Sequence, residues 1–143
     1  MKANSPHLHK QEGLAERRLR RAVSVQIALA VGALHFVTGH DYHGPFPQFV
    51  NGYLIDILLP FAMVLILGNI EKPWGRSRLL RFIYVFGFGV GVETLQYLGI
   101  EVFGSHFDPL DCLMYAIGAL AAIVLDYSLY AAHRADSLAP PNF

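Results

Sequence analysis

Four apolar stretches dominate the chain, at residues 22–38, 49–69, 79–99 and 110–130, and each is close to the length a helix needs to cross a bilayer. A hydrocarbon core of ~30 Å takes about 20 helical residues, with ~17 as the lower limit. None of the stretches alternates polar and apolar residues with a period of two, so strands are not expected. Apolar residues make up 54% of the sequence and charged residues 15%, and the mean hydropathy is positive, unlike an ordinary soluble domain. With 143 residues the chain suits one compact domain. The first stretch follows Arg17, Arg18, Arg20 and Arg21 and so also has the outline of a signal peptide. However, no small-x-small cleavage site follows it, and three further apolar stretches do.

The basic residues orient these stretches. Lys2, Lys10, Arg17, Arg18, Arg20 and Arg21 precede the first; Lys72, Arg76 and Arg78 fall between the second and third, with Arg81 at the very start of the third; Arg134 follows the fourth. That exhausts the eleven Lys and Arg, and the two remaining connections, residues 39–48 and 100–109, hold none. Because basic loops stay on the cytoplasmic side, the expected fold is all-α: an integral membrane four-helix bundle with both termini inside. Residues 1–20 form a cytoplasmic basic tail, 21–131 the transmembrane domain and 132–143 a short cytoplasmic tail. Residues 1–16 read as a polar tail, helical from Leu14 onward, and residues 137–143, with Pro140 and Pro141, as a disordered end. Trp74, Tyr42 and Tyr130 lie near stretch ends, where amphipathic rings favour the interface. The single Cys112 excludes an internal disulfide and a Cys-based zinc site. Basic residues placed beside apolar stretches fit membrane topology rather than nucleic-acid binding.

Carboxylates at membrane depth cost about 2.5–3.5 kcal/mol each on the insertion scale, so each needs an explanation. Asp56 lies in the second stretch, Glu93 and Gln96 in the third, Asp108 and Asp111 at the start of the fourth, and His35 near the end of the first. All fall toward the outer side and are expected to converge on one outward-facing site. Glu93 and Gln96, three residues apart, share a helix face. Asp108, Asp111, Tyr115, Gly118, Ala122 and Asp126 recur at steps of three and four, while Leu113, Ile117, Leu120 and Val124 point elsewhere. On the first stretch Ser24, Val31, His35 and Thr38 share a face. Such polar or small stripes face the interior of a bundle.

Plainer readings stand beside these. Asp108-Pro109-Leu110-Asp111 has the pattern of a helix start, with Asp at the N-cap, Pro next and a second acid near the positive helix end. Gly87, Gly89, Gly91, Gly118 and Ala122 suit close helix packing, and Pro60 suits a kink. His35 suits a hydrogen-bonded packing role, Asp126 the inner interface, and Cys112 simple packing. The His40-Asp41-His43 loop is a weak metal pattern. Glu93 fits none of these, because no Lys or Arg on its side can pair with it. Carboxylates gathered without a basic partner must share protons, hold a cation, or draw charge from His35 and His106. The same lack argues against a phosphate site there.

The residues Val92-Glu93-Thr94-Leu95-Gln96, a short loop, then Phe107-Asp108-Pro109-Leu110-Asp111 and Gly118 resemble the VanZ-like family of small bacterial membrane proteins. Leu58-Leu59-Pro60-Phe61 resembles that family's Pro-containing second span. The resemblance covers most of residues 49–126. It implies a helical bundle of four or five spans with Glu93, Gln96, Asp108 and Asp111 as signature positions. Two departures concern the loop and the following turn. Gly104-Ser105-His106-Phe107 stands where the family has an Arg, and Tyr115 stands where it has an Asn. The first puts anion recognition in doubt.

The expected function is that of a non-enzymatic binding or accessory protein of the bacterial cell envelope, set in the cytoplasmic membrane and free of cofactors. Its partners would be the bilayer, a lipid-linked or cationic ligand, and a second copy of itself in a homo-oligomer. Glu93, Gln96, Asp108, Asp111, Tyr115, Asp56 and His35 are the candidate ligand-binding residues. Two alternatives are a metal-assisted enzyme on a lipid-linked substrate, with Asp108, Asp111 and His106 as metal ligands and Glu93 as base, and a proton- or cation-coupled transporter.

Overall fold

A computed structural model describes residues 6–38, 42–102 and 107–138, with side chains for 17–36, 42–102 and 107–128. Its elements are α1 (Pro6–Thr38), α2 (Pro47–Gly52), α3 (Leu54–Leu67), α4 (Pro73–Arg76), α5 (Arg78–Tyr97) and α6 (Pro109–Leu138), with no strand among the described residues. Three of them carry segments long and apolar enough to cross a membrane: Arg17–Phe36, Arg78–Tyr97 and Pro109–Ser128.

Helix bounds depart from the apolar stretches in three places. The first helix begins at Pro6, well before residue 14, because proline suits a first helical position and no later proline interrupts the run. The last helix runs on to Leu138, through residues that hold good helix formers and no proline. The second stretch divides at Tyr53, whose φ of −122° departs from helical values. The division is a bend rather than a break. Tyr53 N–H still donates to Phe49 C=O at 2.8 Å, and Ile57 N–H to Tyr53 C=O at 3.2 Å. At 14 residues, α3 is only ~21 Å long.

Two local devices set the ends of α5. Ser77 Oγ accepts from Leu80 N–H at 3.3 Å and caps the start. At the other end Gly99, with φ 78°, takes the left-handed conformation that lets Ile100 N–H reach Leu95 C=O at 2.9 Å. That reversal sends the chain back toward α6, which lies antiparallel to α5: Arg81 meets Asp126 at one end of the pair and Glu93 meets Tyr115 at the other.

Packing is organised around α3, which contacts α1, α5 and α6, while α5 also contacts α6. The core is made of Val64 and Leu65 from α3, Val85 from α5, and Ala119 and Ala122 from α6, flanked by Ile27, Phe61, Phe82 and Ile123. Small residues on α6 bring its backbone close to α3. At Gly118 an added Cβ would overlap the Ile57 carbonyl oxygen, so glycine is required there. Gly89 likewise leaves room for the Tyr115 ring. Gly87 and Gly91, expected to be packing sites, instead face open space. They lie on the opposite side of α5 from Gly89, since residues two apart on a helix point roughly opposite ways. The outward faces are apolar. Leu29, Leu79, Ile83, Leu113, Leu120 and Val124 are all exposed, and so large a continuous apolar surface is rare on a water-soluble monomer.

Candidate functional site

The inward line of α5 is Arg81, Val85, Gly89 and Glu93, spaced four apart and all buried. It links two polar clusters at opposite ends of the helix assembly. Twelve residues, ~18 Å of helix, separate Arg81 from Glu93.

The acidic cluster centres on Glu93, which is 1% exposed. Its Oε1 accepts from the Tyr115 hydroxyl at 3.1 Å and its Oε2 from the Asp108 backbone N–H at 3.2 Å. A buried carboxyl is tolerable only when its oxygens find donors, and here both do. Tyr115 reaches Glu93 because Gly89, one turn earlier on α5, has no side chain to hold the ring away. Asp56, in the first turn of α3, is within hydrogen-bonding reach of the Tyr115 hydroxyl and in electrostatic range of Asp111, Glu93 and Asp108. Pro60, inside α3, has no N–H to give back to residue 56. The Asp56 carbonyl oxygen is therefore deprived of its helical donor beside the carboxyl groups.

Asp108 fills two roles at once. Its Oδ1 accepts from Leu110 N–H at 2.9 Å, the capping contact expected from Asp-Pro at a helix start. Its Oδ2 faces the Tyr53 hydroxyl at 3.5 Å, a long contact. Tyr53, at the bend between α2 and α3, was not among the residues singled out from the sequence. Its signal is its position, three residues before Asp56, on the same helix face.

The remaining candidates lie apart from this cluster. Gln96 turns to the connection after α5, where its Nε2 donates to Val102 C=O at 3.0 Å, and its Oε1 is buried without a donor among the described residues. His35 is exposed on α1, edge-on to Phe36 at 6.3 Å between ring centres. Ser24 and Val31, on the same predicted face, are buried; the packed side of α1 ends before its last turn. His106, His40 and Asp41 lie outside the described residues. Among the described residues no three His, Cys, Asp or Glu side chains stand close enough together to hold a metal ion.

The basic cluster was not foreseen. Arg81, which the sequence reading uses only as an orienting charge, lies inside α5 and is 2% exposed. Its Nη2 donates to Asp126 Oδ2 at 2.7 Å and its Nη1 to Val64 C=O at 3.3 Å. Arg20 from α1 donates to Asp126 Oδ1 at 2.6 Å, and Arg78 to Oδ2 at 3.4 Å. Asp126, expected at an interface, is instead the hub joining three helices, with its side chain 12% exposed. The step of four from Glu93 back to Arg81 could have revealed the buried arginine.

Comparison with protein-family models, curated proteins and solved structures yields no match. The likeness to VanZ-like proteins thus rests on the residues that suggested it.

Proposed function

We propose that this chain is a multi-pass protein of the bacterial cytoplasmic membrane, akin to the VanZ-like proteins, that binds a cationic or cation-bearing lipid-linked ligand on its outer side. In this reading α1, α2 with α3, α5 and α6 make four crossings, with both termini in the cytoplasm. The observation that carries the reading is the gathering of Asp56, Glu93, Asp108 and Asp111 around the Tyr115 and Tyr53 hydroxyls, with every ion pair of the described residues located elsewhere. Carboxyls held together without guanidinium or ammonium partners attract a positive ligand, and the surrounding apolar helices strengthen that attraction.

Two measurements test it. Tetraphenylphosphonium, a lipophilic cation, is expected to bind the purified protein. The Glu93→Gln, Asp111→Asn variant should bind about tenfold or more weakly, which corresponds to ~1.4 kcal/mol, with an unchanged helical circular dichroism spectrum. Equal retention by both proteins, or none by either, rejects a cation site. Topology is tested separately. A reporter inserted after His43 or after Ser105 is expected to face outward and one at the C-terminus inward, and a cytoplasmic reporter at either internal position reverses the assignment.

A further inference from the structure

We propose that α1 carries a self-association surface: the face centred on Gln26 pairs, within the membrane, with the same face of a second copy of this chain. The proposal rests on the membrane reading above. Gln26 lies inside the membrane-length segment Arg17–Phe36, five residues past Arg21 and so ~8 Å deeper along the helix. The packing of α1 decides which way it points. Among the described side chains of α1 only Ser24 and Val31 are buried, on the side that meets α3. At ~100° of turn per residue, Gln26 lies roughly 150° away from both. It is exposed, so in a bilayer its amide faces away from the bundle at hydrocarbon depth.

Lipid tails offer an amide neither donor nor acceptor, so an amide turned toward them is costly. The residues around Gln26 are those a close helix partner needs. Leu19, Ala22, Ala30 and Ala33 share its face at steps of three and four, and all are exposed. The alanines keep this strip low, whereas the flanks carry Val23, Val25, Leu29 and Leu34, also exposed. Small residues let two backbones approach, and a Gln set among them hydrogen-bonds across the contact. Two arguments make a second copy the occupant. The Gln amide both donates and accepts, so two of them complement each other and can exchange a pair of N–H···O bonds. Copies inserted with the same orientation also run α1 parallel to α1 and hold residue 26 at one depth. A twofold axis along the membrane normal then brings Gln26 against Gln26 and alanine against alanine.

The test is Förster transfer between donor- and acceptor-labelled full chains in phosphatidylethanolamine–phosphatidylglycerol vesicles, diluted stepwise with lipid. Parent chains are expected to show transfer that falls as lipid is added. Gln26→Leu alters an exposed position and leaves the packed side of α1 alone; it is expected to loosen the pair about tenfold. Gln26→Asn, which keeps an amide, should retain most of the association. Ala22→Ile with Ala30→Ile should loosen it at least as much as Gln26→Leu, by holding the backbones apart. Ala121→Ile, the same added bulk at an exposed position on α6, should change it less than about twofold. Circular dichroism checks that each variant keeps its helices. A parent that stays monomeric at every dilution, or equal association of the parent and Gln26→Leu, overturns the surface; so does equal damage from Ala121→Ile. Recovery of the chain in the soluble fraction of cells rejects the membrane reading itself; a membrane-bound chain without Gln26-dependent transfer rejects only this proposal.

Discussion

Asp126→Ala is expected to destabilise the protein by about 3–5 kcal/mol, the range seen when one partner of a buried ion pair is removed. The reason is Arg81. Its guanidinium is enclosed, and without Asp126 it keeps only the Val64 carbonyl as a described hydrogen-bond acceptor. Arg20 and Arg78 are exposed enough to turn to solvent, so they contribute little to the loss. Arg81→Leu combined with Asp126→Leu separates this explanation from a generic loss of packing. Removing both charges leaves nothing stranded, and the double variant should recover most of the stability. Thermal unfolding in detergent, followed by circular dichroism, reads all three proteins. If Asp126→Ala melts with the parent, or the double variant is as damaged as the single one, the buried pair is not what holds these helices together.

Gly118→Val is expected to cost about 3 kcal/mol, the upper part of the range for overpacking a tight contact. The atom in the way is a main-chain oxygen, Ile57 O, which cannot swing aside as a side chain would. Relief requires α3 to move away from α6. Ile57 follows Asp56, so the same displacement draws Asp56 away from Tyr115 and the acidic cluster. The variant should therefore lose both melting temperature and tetraphenylphosphonium binding. Gly91→Val, on the open side of α5, should change neither by more than about 0.5 kcal/mol. A stable Gly118→Val protein, or equal damage at Gly91, removes the α3–α6 contact as the element that positions Asp56.

Helix faces were the most legible part of this protein. On α6, steps of three and four separated Tyr115, Gly118, Ala122 and Asp126 from the exposed Leu113, Leu120 and Val124, because side-chain direction along a helix follows from spacing alone. The grouping of Asp56, Glu93 and Asp111 near one end followed from depth counted in residues along each apolar stretch, and that of Asp108 and Tyr115 from their spacing, but the same depth count included His35, which is exposed on α1. Three features were hidden. Arg81 was counted only as a charge that fixes orientation, which says on which side a residue lies but not whether it enters the helix. Gly89 could not be told from Gly87 and Gly91 until Tyr115 was placed against it. Tyr53 became part of the site only through the bend between α2 and α3, which its own residue type does not announce.

The burial of Arg81 has an electrical consequence for anything bound among the carboxyls. A positive particle entering beside Glu93 and travelling along the inward line of α5 would meet the fixed guanidinium at its far end, together with those of Arg20 and Arg78. Fixed arginine charge is an effective barrier to cations in narrow passages. On the proposed reading, a cation held among the carboxyls would be blocked from the far end of the helices: a receptor geometry rather than a conduit.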